Sequence, residues 1–224
     1  MLFENSQDNW EIDLPTSMNT LGLKISGGAD SAIVCYMVAK YVTEERPDIT
    51  IHPITAVAST KPFQQIHADK VLRKVESMTG IKFATHQYRT IDSTTVENYI
   101  NQQADLVHDV YASQGLQKHF SGLTANPTAE DAPELYDGAH ALPGSYGPND
   151  TDRSKSIEKK TNTFRPLINV DKKGVAEHYT RLGVLEDLFP LTRSCEEDNV
   201  YTFEEHCGDC WFCRERKWGF GRLV

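Results

Sequence analysis

Six consecutive residues, Ser26-Gly27-Gly28-Ala29-Asp30-Ser31, restrict the fold of this chain more than any other stretch. They follow a short apolar run, Leu21 to Ile25, that suits a buried strand feeding a turn. After them Ala32, Ile33, Cys35, Tyr36, Val38, Ala39 and Val42 recur at helical spacing. A strand that turns into a helix through two glycines leaves unpaired amides at the helix start. Those amides and the helix dipole favour a phosphate, and the glycines permit the close approach that side chains would obstruct. Ser26 and Ser31 add hydroxyl donors. Asp30 is costly beside phosphates unless it binds Mg²⁺ or orients the loop, so its presence points to a metal-bridged nucleotide. The pattern is neither Gly-x-x-x-x-Gly-Lys-Ser/Thr nor Gly-x-Gly-x-x-Gly. The plain alternative, a glycine turn capped by Asp or Ser, explains a Gly-Gly pair better than it explains the whole hexapeptide.

The same alternation continues downstream. Arg46-Pro47-Asp48 stops the first helix. A second strand is expected over Ile49 to Val57, a helix from Pro62 to about Met78, and a third strand over Ile81 to Tyr88. Asp92 to Gln114 reads as a helix capped by Asp92, and Lys118 to Leu123 as a fourth strand. Strands and helices in this order predict an α/β, Rossmann-like parallel sheet covered by helices. Residues 1–20 read as an arm with a short strand. Residues 126–162 hold Pro127, Pro133, Pro143 and Pro148 and few apolar anchors, and a loop of that length is usually functional or mobile. Asp171 to Arg181 resumes as a helix, ended by Leu182-Gly183. The expected organisation is a nucleotide domain over 1–190 and a zinc-binding extension over 191–224.

Bulk properties exclude some function classes. The chain has no run of about 18 apolar residues, so a membrane span is not expected. No basic region followed by an apolar stretch marks a secretory signal, which leaves the cytoplasm as the expected location. A formal charge of −9 disfavours a broad phosphate-tracking surface, and tRNA with it, without excluding a local basic patch.

Four of the five cysteines fall in the tail: Cys195, Cys207, Cys210 and Cys213. Three sit at successive two-residue gaps, and Cys195 supplies a fourth across 11 residues. Such turns can bring four sulfurs to about 2.3 Å from one tetrahedral Zn²⁺, a closed and therefore structural site. An iron–sulfur cluster or a redox pair are the alternatives. Cys35 reads as a small buried apolar residue. The eight histidines give no compact ligand spacing, although His206 beside Cys207 is an alternative zinc ligand.

The hexapeptide resembles the pyrophosphate loop of the N-type ATP pyrophosphatases, the PP-loop superfamily. Thr192-Arg193-Ser194-Cys195, then Cys207-Gly208-x-Cys210-x-x-Cys213-Arg214 and Gly219-Phe220, is similar to the zinc end of the 7-cyano-7-deazaguanine (preQ0) synthases. Pro166-Leu167, Asp171-Lys172, Leu182-Gly183 and His67-Ala68-Asp69 are weaker matches to the same family. One stretch departs: the family's Tyr-Pro-Asp-Cys-Arg-Pro-Glu-Phe segment is replaced here by Asn126 to Asn162, which opens the identity of the substrate.

The resemblance implies an adenylating ligase that uses ATP, Mg²⁺ and Zn²⁺. A carboxylate on a small heterocycle attacks the α-phosphorus, pyrophosphate leaves, and ammonia displaces AMP; a second activation would give a nitrile. It implies ATP contacts at Ser26, Gly27, Gly28, Ala29, Asp30, Ser31, Ala56 and Val57, and a homodimer. Asp30 is the implied Mg²⁺ ligand, Lys172 a second phosphate contact, and Arg165 a fork for the carboxylate. Lys172 as a solvated helix-start lysine and Arg165 as a surface residue are the alternatives. Thr124 and Asn126 are candidates to line the substrate site at the carboxyl edge of the sheet. Two other readings stay open, a tRNA-thiolating enzyme of the same superfamily and a non-catalytic nucleotide-binding regulator.

Overall fold

The computed structural model describes residues 1–136, 162–195 and 204–224. Most of the proline-rich segment expected to be a loop, residues 137–161, lies outside the described residues. The first elements form an antiparallel hairpin, β1 (Leu2–Glu4) and β2 (Asn9–Glu11), with Phe3 opposite Trp10. A five-stranded parallel sheet follows. Its members are β3 (Thr20–Lys24), β4 (Thr50–Ala58), β5 (Gln87–Ile91), β6 (His119–Phe120) and β7 (Thr163–Phe164). The spatial order is β5-β4-β3-β6-β7. The fold is therefore α/β, with a parallel sheet between helices.

The central strand explains this arrangement. Leu21 and Leu23 of β3 are fully buried, as expected for a strand covered on both faces. It pairs with β4 in the register Thr20↔Thr50 to Lys24↔Ile54, and with β6 at Gly22↔His119 and Leu23↔Phe120. After β3 the chain crosses to β4 on one side, and β6 returns on the other. The order reverses between β3 and β6, so a crevice opens outside their carboxyl ends.

The covering helices are α1 (Ala29–Glu45), α2 (Phe63–Thr79), α3 (Val96–Gln114), α4 (Lys172–Arg181), the short α5 (Leu185–Leu188) and α6 (Trp211–Phe220). Helix α1 is buried almost all round, from Ala32, Ile33 and Val34 to Val38 and Val42, because it lies inside the molecule rather than on its surface. Its start is tied to α4 by the Tyr179 hydroxyl, which donates to the Ala29 carbonyl at 2.8 Å. Among the described residues, no helix is long and apolar enough to cross a membrane.

Several expected elements shift. The third strand begins at Gln87, not Ile81. Ile81 and Phe83 serve the core from an irregular segment, and the Phe83 amide donates to Glu76 Oε1 instead of a ladder. Helix α3 is capped by Thr95, whose hydroxyl accepts from the Asn98 amide, not by Asp92. Asp92 is consumed by a turn, accepting from the Thr94 amide and the Asn98 side chain. The fourth strand shortens to two residues because Gly122 leaves the ladder to cross the start of α1.

The tail is docked on this body. A Cβ on Gly219 would fall 2.5 Å from Lys172 Cγ, so α6 lies directly on the start of α4. Arg216 is completely buried beneath it. Its guanidinium donates to the Leu223 and Phe189 carbonyls and to the Thr192 and Ser194 hydroxyls, and it stacks on Phe189 at 3.7 Å. A buried guanidinium with that many acceptors is satisfied, and it fixes the segment that leads to Cys195.

Candidate active site

The hexapeptide occupies the β3–α1 junction. Gly27 holds φ at +80°, a left-handed conformation that favours glycine, and a Cβ there would lie 2.5 Å from His67 Cβ. The loop therefore rests directly on α2. Gly28 caps α1 with φ −79° and ψ 162°, which leaves the amides of Ala29, Asp30 and Ser31 without intrahelical acceptors. The Ser31 hydroxyl braces the turn, donating to the Gly28 carbonyl at 3.1 Å and accepting from the Ser26 amide at 3.2 Å. Across the crevice, a Cβ on Gly122 would fall 2.6 Å from Ser31 N. Bare backbone at Gly122 keeps a side chain off the first turn of α1, while at Gly27 it lets the loop rest on α2.

Two cavities flank this turn. The larger, about 330 Å³, is walled by Ser26, Gly28, Asp30 and Ser31 of the loop, Ala56 at the end of β4, and Arg165 after β7. Lys24, Tyr99, Gln103 and Ser121 also line it. The smaller, about 160 Å³, lies on the other side of the loop and reaches Lys172, Arg193, Glu215 and Cys195. Of the residues expected from sequence, Gly27 sits behind the loop against α2, while Val57 and Thr124 are buried and Asn126 is half-buried. Val57, Thr124 and Asn126 are on neither wall.

The charges are organised in two groups. Lys172 is buried rather than solvated, and its Nζ donates to both Asp30 carboxylate oxygens at 2.7 and 2.6 Å and stands 3.4 Å from Glu215. Burial acts to lower the Lys172 pKa, but the two carboxylates outweigh it and hold the ammonium form. Burial pushes Glu215 up to about 7, against the pull of Lys172. On the other side, Lys24 donates to Gln103 at 2.6 Å, and burial together with the neighbouring Arg165 charge brings it down to about 8. An acceptor carboxylate would meet two cations there.

Four of these residues escaped the sequence reading. Lys24 carried a signal, a charge inside an otherwise apolar strand. Arg193 lay within the quoted Thr192-Arg193-Ser194-Cys195 motif. Glu215 and Gln103 sit on helices with no local mark that sets them apart.

The four tail cysteines come together in a cluster that could hold a metal ion. Their sulfurs all lie within 4.8 Å of one another, with Cys195 and Cys213 buried and Cys207 exposed. The turn is built by Gly208 at φ +80°, and the Cys210 amide donates to Cys207 Sγ at 3.3 Å. A hydrogen bond with the Cys195 sulfur raises Cys210 to about 12 and carries Cys213 higher still, a proton burden that a bound cation would relieve. His206 is not in the set: its Nε2 accepts from the Ser194 amide at 3.3 Å, and its Nδ1 is buried.

No protein-family model matches the chain, and no curated protein matches it. Among solved structures, it is similar to the U34-tRNA thiolase NcsA from Methanococcus maripaludis with its 4Fe-4S cluster. The identity is 12% and the TM-score 0.46, over 91% of this chain and 71% of that one.

Proposed function

We propose that this chain is an enzyme of the PP-loop type that opens ATP between its α- and β-phosphates and transfers AMP to a small heterocyclic carboxylate. The observation that carries the reading is the β3–α1 junction. It has open amides, a glycine, Gly122, that keeps a side chain off the first turn, and a cavity of about 330 Å³ running from that turn to Ala56. In this reading the Ala29, Asp30 and Ser31 amides hold the leaving pyrophosphate, and Ala56 borders the adenine. Lys24 and Arg165 orient the acceptor carboxylate toward the α-phosphorus. Ammonia then displaces AMP to give an amide. Catalysis is positioning and charge neutralisation on preformed donors. Asp30, the carboxylate on that wall among the described residues, would hold Mg²⁺, which neutralises phosphate charge when bound.

For the cysteine set we propose one zinc ion. Cys207 and Cys213 sulfurs are 3.8 Å apart, the edge of about 3.8 Å expected of a tetrahedron with 2.3 Å bonds. A four-iron cube places each thiolate on a different iron and spreads them further.

The test is incubation with ATP, Mg²⁺, ammonium and 7-carboxy-7-deazaguanine, followed by chromatography of nucleotides and product. AMP and an amide or nitrile are expected. AMP formed with another acid keeps the chemistry and changes the acceptor, whereas no AMP with any acid rejects the enzyme. A thiolating enzyme is the second reading, favoured by Cys195 lining the same small cavity as Gly28 and Asp30. It predicts a tRNA mobility shift at moderate salt and sulfur incorporation.

A further inference from the structure

The smaller cavity holds a charge that the fold leaves unanswered. Arg193 is 5% exposed, and its guanidinium lies 3.8 Å over the ring of Phe63. Its Nε donates to the Glu205 carbonyl at 3.1 Å. Its Nη1 is buried and, among the described residues, has no hydrogen-bond partner. A buried donor without an acceptor costs about 1–3 kcal/mol, and more when charged, so an orphan on a cavity wall points to an acceptor that arrives from outside.

The surroundings identify its chemistry. The same wall carries Gly28, Ala29 and Asp30 of the loop, Lys172 and Glu215. The Arg193 amide donates to the Gly27 carbonyl at 2.9 Å, so its backbone is locked to the loop. Asp30 and Glu215 also face this space, and Lys172 offsets them in part. An isolated carboxylate has too few oxygens to satisfy the guanidinium and the helix amides together, Lys172 being already paired with Asp30 and Glu215. Polyphosphate oxygens do satisfy them. Ser26, Gly28 and Asp30 border both cavities, so a molecule with its nucleoside in the larger one crosses the loop to reach the smaller.

We propose that Arg193 recognises the terminal phosphates of ATP and retains them as pyrophosphate after cleavage. This inference rests on the ATP-opening reading above and adds a residue that distinguishes ATP from AMP. Its test is calorimetric titration of wild type, Arg193→Gln and Arg193→Lys with ATP, AMP, pyrophosphate and inorganic phosphate, all with Mg²⁺. Loss of a charged hydrogen bond predicts that Arg193→Gln binds ATP and pyrophosphate about 10- to 100-fold more weakly, with AMP within about 2-fold of wild type. Arg193→Lys should recover part of the loss.

Unchanged pyrophosphate affinity in Arg193→Gln overturns the proposal, as does equal weakening of AMP and ATP. Wild-type binding of inorganic phosphate as tight as that of pyrophosphate also overturns it. A wild type that binds neither ATP nor pyrophosphate removes the ATP reading itself, a failure visible before any substitution. If the variants do not fold, the wild-type crystal structure with Mg²⁺ and pyrophosphate decides: the proposal requires a phosphate oxygen within hydrogen-bond distance of Arg193 Nη1.

Discussion

Replacing Gly122 with alanine should destabilise the protein, although the backbone there is not left-handed. Where an alanine fits, Gly→Ala stabilises by about 0.4–1 kcal/mol through the entropy of the unfolded chain. Here the new methyl would stand 2.6 Å from Ser31 N and 2.7 Å from both Asp30 C and Ser31 Cα. Those are backbone atoms of the first turn of α1, and no rotamer relieves them. Overpacking of this kind costs about 1–3 kcal/mol, so the net change is a loss of about 1–2 kcal/mol. For a chain of this size that is a fall in Tm of roughly 2–8 °C. Relief by separation would move the end of β6 away from the amides of Asp30 and Ser31. One charged hydrogen bond lost to a phosphate weakens ATP binding by about 10-fold or more. Urea melts with and without Mg²⁺ and ATP measure both effects. A variant as stable as wild type, with equal ATP affinity, refutes the claim that bare backbone at Gly122 keeps this turn open.

Other consequences follow from the buried charges and thiols. Lys172→Met leaves Glu215 buried and Asp30 about a quarter exposed without their cation, an expected loss of about 3 kcal/mol; Lys172→Met with Glu215→Leu should lose less by chemical denaturation, and an equal loss would deny the coupling. Cys210→Ser should lower bound metal, measured by plasma emission spectrometry, and reduce Tm by about 4–8 °C; a variant with full metal content and unchanged Tm contradicts the four-thiolate site. Burial holds His119 and His178 neutral, each with its pKa down to about 4. A depressed pKa gives stability that is present above about pH 6.5 and lost as pH falls toward 4. The loss is up to about 3 kcal/mol for each, and a flat urea midpoint between pH 7 and 4.5 would contradict it.

The parts legible in the sequence are those set by local pattern. Leu21 to Ile25, the hexapeptide and the helical repeat after Ser31 are adjacent, so one window displays strand, turn and helix together. The cysteines are legible because chemistry limits what four clustered thiols do. Strand β6 was expected, though longer than it is, whereas β7 was obscure because two residues carry no alternation; it exists through pairing with β6. Capping by Asp92 failed because a nearer side chain, Thr95, competed for the same helix start. The Lys172–Asp30 pair joins residues 142 apart in sequence, and nothing near Lys172 indicates a buried partner.

The bond from the Arg193 amide to the Gly27 carbonyl spans most of the chain and lies two residues before Cys195. Contacts between such distant segments form late, because a long loop must close first. The sheet can assemble before the tail comes home, but the ligand-binding turn cannot take its final shape until then. In refolding, ATP binding should therefore lag the recovery of helical ellipticity, and simultaneous recovery would deny this order. A molecule whose last segment has not docked would be folded in outline and silent toward nucleotide.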